Sequence, residues 1–156
     1  MLLKYFYTFF ISMVPLLELR GAIPFGVACG LPKLPVFIIC IIGNMLPVPI
    51  IYLFARKVLI WGKDKKYTKK FFTFCLTKGE KGGETLKKKA GRGLYWALFL
   101  FVGIPLPGTG AWVGTLAASI LDLDFKKTII AVMVGVLFAG CLMMAISFGL
   151  FDLILK

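Results

Sequence analysis

The 156-residue chain is 60% hydrophobic and carries 19 Lys and Arg against 7 Asp and Glu, with no histidine. Soluble domains use about 45–50% apolar residues, so the solvent this sequence answers to is lipid, and a single membrane domain over 1–156 is the natural organisation. The net charge of +12 does not read as a nucleic-acid face, because 13 of the 19 basic residues crowd between Arg56 and Gly93 instead of spreading over a surface. Cys29, Cys40, Cys75 and Cys141 are scattered with no C-x-x-C pair, and with no histidine beside them they offer neither zinc nor thiol-redox spacing. No cofactor or metal is expected, and the lack of any nucleophile paired with a base argues against an enzyme.

The first apolar block covers roughly residues 5 to 30. Met1 to Leu17 imitates a secretory signal, but Glu18 and Arg20 interrupt that reading. The block is broken in its middle by Pro15-Leu-Leu-Glu-Leu-Arg-Gly21 and again by Pro24, which leaves arms of about half a bilayer. Ionisable groups inside an apolar block cost several kcal/mol and mark function by default. Residues two apart diverge on a regular helix, so an unwound tip is expected to let Glu18 and Arg20 converge on one cavity. There Glu18 would be the proton-coupling or cation-binding carboxylate. Arg20 would bind an anionic group such as a phosphate or set the charge state of Glu18, with Gly21 beside them. The plainer alternative is that the two neutralise one another and pin the tip.

The second block, 34 to 60, is an apolar run long enough to cross a hydrocarbon core of about 30 Å. It contains Asn44, which needs a partner and reads either as glue between helices or as a substrate contact. Segment 61–93 is basic, belongs in the cytoplasm by the positive-inside rule, and around Lys69 to Leu76 mixes lysines with aromatics as a segment resting on anionic lipid would.

The third block, 94 to 120, is broken in turn by Pro105-Leu-Pro107-Gly108-Thr109-Gly110. Its glycines would open the following half-helix, whose N-terminus offers unpaired N–H donors to an anion. Thr109 adds a hydroxyl, and Trp112 adds an aromatic face for a cation or a flat ring, or else a packing anchor. The string lacks the lysine of a nucleotide-binding loop. The fourth block, 126 to 155, is the second run long enough to span; Asp122 and Asp124 before it read as solvated ends, and Lys126 and Lys127 prefer the cytoplasm.

The expected fold is therefore an all-α integral membrane protein of two inverted repeats, each a Pro/Gly-broken re-entrant helical hairpin followed by a transmembrane helix. The first repeat spans 1–60, the basic cytoplasmic loop 61–93 and the second repeat 94–156. If the broken blocks instead span fully, the chain crosses four times with both termini inside. Paired Gly/Pro-interrupted segments in two halves point to a transporter's binding site.

Pro15-Leu-Leu-Glu-Leu-Arg-Gly-Ala-Ile-Pro24, Gly43-Asn44-Met-Leu-Pro47-Val-Pro49 and Gly103-Ile-Pro-Leu-Pro-Gly-Thr-Gly-Ala-Trp112 resemble the signature segments of the small multidrug export proteins. The resemblance implies a small multi-pass protein of the prokaryotic inner membrane. That family in turn resembles the DedA/VTT membrane proteins, which implies two facing re-entrant hairpins and movement of lipid or polyprenyl phosphate with the proton motive force. The DedA pattern carries an arginine where Thr109 and Gly110 stand here.

The function expected is a small secondary transporter exporting small molecules or drugs with proton coupling, with a substrate and proton site at Glu18, Arg20, Gly21, Asn44, Pro107, Gly108, Thr109, Gly110 and Trp112. The alternative is a flippase or scramblase for an anionic lipid, in which Arg20 and the amides of 108–110 clamp the head group. Membrane lipids and the substrate are the expected partners, with no nucleic acid. Two firm spans are few for enclosing a pathway, which leaves room for a homodimer.

Overall fold

The computed structural model describes residues 1–15, 17–63, 69, 70, 73, 77, 88, 91, 93–106 and 109–154, with the side chains of 59, 63 and 150–154 left aside. The described residues are helical, without strands. Helix α1 spans Leu2–Met13 and α2 spans Glu18–Ala28; α3, Lys33–Met45, runs into α4, Pro47–Lys63. After the basic segment come α5, Gly93–Gly103, α6, Ala111–Ile120, and α7, Phe125–Ile154. The expectations for the basic loop, for Cys75 and for Pro107 and Gly108 lie outside the described residues.

The chain breaks fall where backbone donors are missing. Pro47 has no N–H and marks the break between α3 and α4, and Leu46 N donates to Ile42 O at 3.0 Å to close the last turn of α3. Lys33–Gly62 and Phe125–Gly149 are long and apolar enough to cross a membrane, with mean hydropathies of 2.3 and 2.7. Only 39% and 33% of their most apolar windows are buried within the chain, and Ile38, Ile42, Ile50, Leu53, Phe54, Ile130, Val134 and Phe138 are exposed. An apolar surface of that extent is lipid-facing rather than the rind of a soluble core. This is a membrane protein.

The first break is narrower than the sequence suggests. Glu18 begins α2 rather than hanging on an unwound tip, Arg20 and Gly21 lie in its first turn, and Pro24 is inside the helix. Glu18 N donates to Val14 O at 3.0 Å and Gly21 N to Leu17 O at 2.9 Å, so the turn is rebuilt immediately after the break.

Helices α1 and α2 pack together and their outer ends meet, Lys4 Nζ donating to Cys29 O at 2.8 Å. Lys33 Nζ sits 4.2 Å from the Phe148 ring at this same end. The outer ends of α5 and α6 also meet, because Asp124 N donates to Tyr95 Oη at 3.3 Å. Arg56 pairs with Asp122 at that end, so Asp122 is not simply solvated as the sequence suggested. The core is a set of small and β-branched side chains, among them Ala22, Ile23, Val36, Val48, Val102, Ala111, Val132 and Val136. Glycines permit the closest approaches: a Cβ on Gly26 would come within 2.9 Å of both Val36 methyls, and one on Gly135 within 3.0 Å of Phe99 O.

Candidate functional site

The two broken segments meet at their tips, and the meeting is built from unpaired helix ends. A helix leaves its last four carbonyls and first four N–H groups without partners, giving the ends opposite partial charges. Both kinds of end occur side by side in the second segment, where α5 stops at Gly103 and α6 starts at Ala111. Pro105 and Pro107 supply no N–H that could close the last turn of α5.

Arg20 answers the negative end. Its Nη2 donates to Val102 O at 3.3 Å, Ile104 O at 3.1 Å and Thr109 Oγ1 at 3.0 Å, while Nη1 donates to Thr109 O at 3.2 Å and to Leu106 O. The planar fork of guanidinium donors suits several carbonyls at once, which a lysine's single ammonium does not. Thr109 completes the knot: its hydroxyl lies 2.9 Å from Leu106 O and 3.1 Å from Ile104 O.

Glu18 answers the positive end. Its Oε2 accepts from Ala111 N at 3.2 Å and its Oε1 from Trp112 N at 3.0 Å, so a carboxylate from α2 caps α6 across the tip. The side chain is 3% exposed. Gly110 makes the approach possible. Its φ of +131° is a conformation L side chains rarely adopt, and a Cβ there would lie 2.7 Å from Glu18 Oε1.

Glu18 and Arg20 thus come to one place without pairing with each other; each is bonded to the second segment instead. The free α6 amides expected from the glycine string exist, but at positions 111 and 112 the protein's own carboxylate takes them. Gly21 is set back, since a Cβ there would meet only Leu17 and Ile11. Asn44 is 1% exposed on α3, with neither amide atom bonded to another protein group. The Trp112 ring lines an apolar groove of about 470 Å³ with Pro15, Ile51, Phe54, Val113 and Leu116, and its buried Nε1 has no protein partner.

Sequence reasoning missed a second cluster. Ser119 Oγ donates to Tyr52 O at 2.7 Å, Tyr52 Oη donates to Leu123 O, and Arg56 pairs with Asp122, tying α4 to the end of α6. The i, i+4 spacing of Tyr52 and Arg56 within an apolar run was the available signal. Among the described residues no group of His, Cys, Asp and Glu has metal-site geometry.

No curated protein matches this chain. No solved structure matches it either. A family model does, over residues 18–142, a stretch that takes in both tips: the chain belongs to the family described as "Putative small multi-drug export protein".

Proposed function

We propose that this chain is a small secondary transporter that exports lipophilic, positively charged small molecules against an inward flow of protons. The observation that carries the reading is the Glu18 carboxylate, buried between the two broken segments and bonded to the Ala111 and Trp112 amides. A buried carboxylate bonded to neutral amides is a docking point for a cation, and a proton is the smallest such cation. Protonation removes the charge that strengthens both amide bonds, so the tips are held by Arg20 alone and the segments can part. Trp112 joins the clasp to the apolar groove, which offers a place for the hydrophobic body of a cation whose charge approaches Glu18.

In this reading the two broken segments are re-entrant and the halves are inverted repeats. Each pair of outer ends returns to its own side, through Lys4 with Cys29 and through Tyr95 with Asp124. Segment 61–93 then faces the cytoplasm of a prokaryotic cell, resting on anionic lipid, and both termini face outward. Reporter tags on the termini test this topology, and cytoplasmic ends would sink it.

The transport test is proton-gradient-driven flux of a cationic dye in proteoliposomes, wild type against Glu18→Gln. Flux that the substitution abolishes supports the reading. A folded wild type without dye flux overturns it in favour of anionic-lipid movement, although Arg20 is fully engaged by carbonyls in this conformation.

A further inference from the structure

Two hydrogen bonds fix how α4 lies against α6. Tyr52 meets Ser119, and one turn further along α4 Arg56 pairs with Asp122, just past the end of α6, so the two helices run in the same direction. One turn back from the Tyr52–Ser119 bond come Val48 and Thr115; a further turn back on α6 is Ala111, whose N–H caps onto Glu18, while Asn44 stands on the other side of the α3–α4 break. Val48, Thr115 and Ala111 are fully buried, so they line the inward seam between α4 and α6; Asn44, 1% exposed, lies at the end of α3 just before that seam.

That seam is apolar except for groups that lack protein partners. Asn44 Oδ1, Asn44 Nδ2 and Thr115 Oγ1 are all buried without a hydrogen bond to another protein atom. Leaving such a group unsatisfied costs about 1–3 kcal/mol, and Asn44 alone carries two such atoms, which favours a guest beside it. The guest must both donate, to Oδ1, and accept, from Nδ2. A metal cation satisfies Oδ1 but leaves Nδ2 without a partner, since it cannot accept from an amide N–H. Water does both.

We propose that the seam between α3–α4 and α6 holds a short file of internal water, bonded to Asn44 and Thr115, that reaches the Glu18 carboxylate and carries protons to and from it. Asn44 and Thr115 are then positioning residues for proton delivery. The file is closed at its far end by Tyr52 with Leu123 and Ser119 with Tyr52, so access from that side requires the α4–α6 contact to loosen. The water site stands on the unpartnered atoms; its role in proton delivery rests on the transporter reading of Glu18.

Cys40 reports on the file. It lies one turn from Asn44 along α3 and is fully buried, whereas Cys141 on α7 is exposed. Radiolytic hydroxyl-radical labelling of the full chain in lipid nanodiscs, read by peptide mass spectrometry, oxidises sulfur next to bound water. Labelling of Cys40 above Cys141, reduced several-fold in Asn44→Leu and in the near-isosteric Thr115→Val, is the expected result. Flux of the cationic dye should fall several-fold in the same variants while dye binding at fixed pH is unchanged, and Asn44→Ser should restore part of both. An unlabelled Cys40 in folded wild type means a dry seam and overturns the proposal, as does full flux in a folded Thr115→Val and Asn44→Leu pair. Labelling that responds to the variants in a wild type without dye flux would uphold the water site and overturn only the transporter reading.

Discussion

Arg20 holds Thr109 twice, through its hydroxyl at 3.0 Å and its backbone carbonyl at 3.2 Å, although 89 residues separate them. The pair joins the start of one half of the chain to the break in the other, where the carbonyls of α5 have no helical donor.

Arg20→Lys should therefore behave as a disruptive change. A lysine presents one ammonium where five contacts need a fork, and the loss of several charge-assisted bonds is expected to cost about 3 kcal/mol. Thr109→Val removes one of those bonds and should cost about 1 kcal/mol. Thermal unfolding in detergent of both single variants and the double variant gives their coupling. A coupling energy near zero would mean that Arg20 is bonded elsewhere in the folded protein.

The caps at the other helix end make Glu18→Gln informative for stability as well as flux. A glutamine oxygen accepts one of the two α6 amides, but its NH2 group faces the other as a second donor. The expected loss is about 2 kcal/mol, and Glu18→Leu, which satisfies neither amide, should lose more. A Glu18→Gln protein as stable as wild type would show that the capping bonds are not holding the tips together.

Glycine geometry separates backbone strain from crowding. Gly110 has a φ of +131° and its Cβ position is occupied by the Glu18 carboxyl, whereas Gly30, with φ +72°, has nothing within 4 Å. Gly30→Ala is expected to cost about 1 kcal/mol, the ordinary penalty of a left-handed alanine. Gly110→Ala adds a collision at a buried charged group and should prevent recovery of folded protein, or shift its melting point far more than Gly30→Ala does. Equal effects of the two alanines, measured by fluorescence-detected gel filtration after heating, would contradict the placement of Glu18.

Much of this was legible in the residues. Pro15, Pro105 and Pro107 mark both breaks because a missing N–H cannot be disguised, and the two spans follow from apolar length alone. Glu18 and Arg20 stood out because charge is costly in lipid. What each of them touches was not legible, since hydrogen bonds across 82 to 94 residues depend on how two segments dock and not on local pattern. The sequence puts Pro24 in the break because prolines usually end helices, whereas it lies inside α2. The break closes earlier because Val14 and Leu17 carbonyls restart the turn three residues after Pro15. Ser119 and Thr115 are not legible for a different reason: single polar groups in apolar helices carry no periodic signal until the facing helix is known, whereas Tyr52 is marked only by its i, i+4 spacing to Arg56.

The contact between α4 and the end of α6 divides into a buried and an exposed part, and the two should respond differently. The Tyr52 side chain is 6% exposed, so Tyr52→Phe leaves the Leu123 carbonyl without its donor in a dry place, with an expected cost of about 1–3 kcal/mol. Arg56 and Asp122 are 36% and 45% exposed in their side chains, where solvent and salt screen the pair. Asp122 has a φ of +53°, which asparagine adopts almost as readily, so Asp122→Asn removes the charge without new backbone strain. Its cost should stay below about 1 kcal/mol and shrink as salt is raised. Melting curves of both variants at low and high salt check the division. If Asp122→Asn proves the more damaging and its effect survives high salt, the pair is shielded from water and the charged end of this contact, not the tyrosine, holds α6 in place.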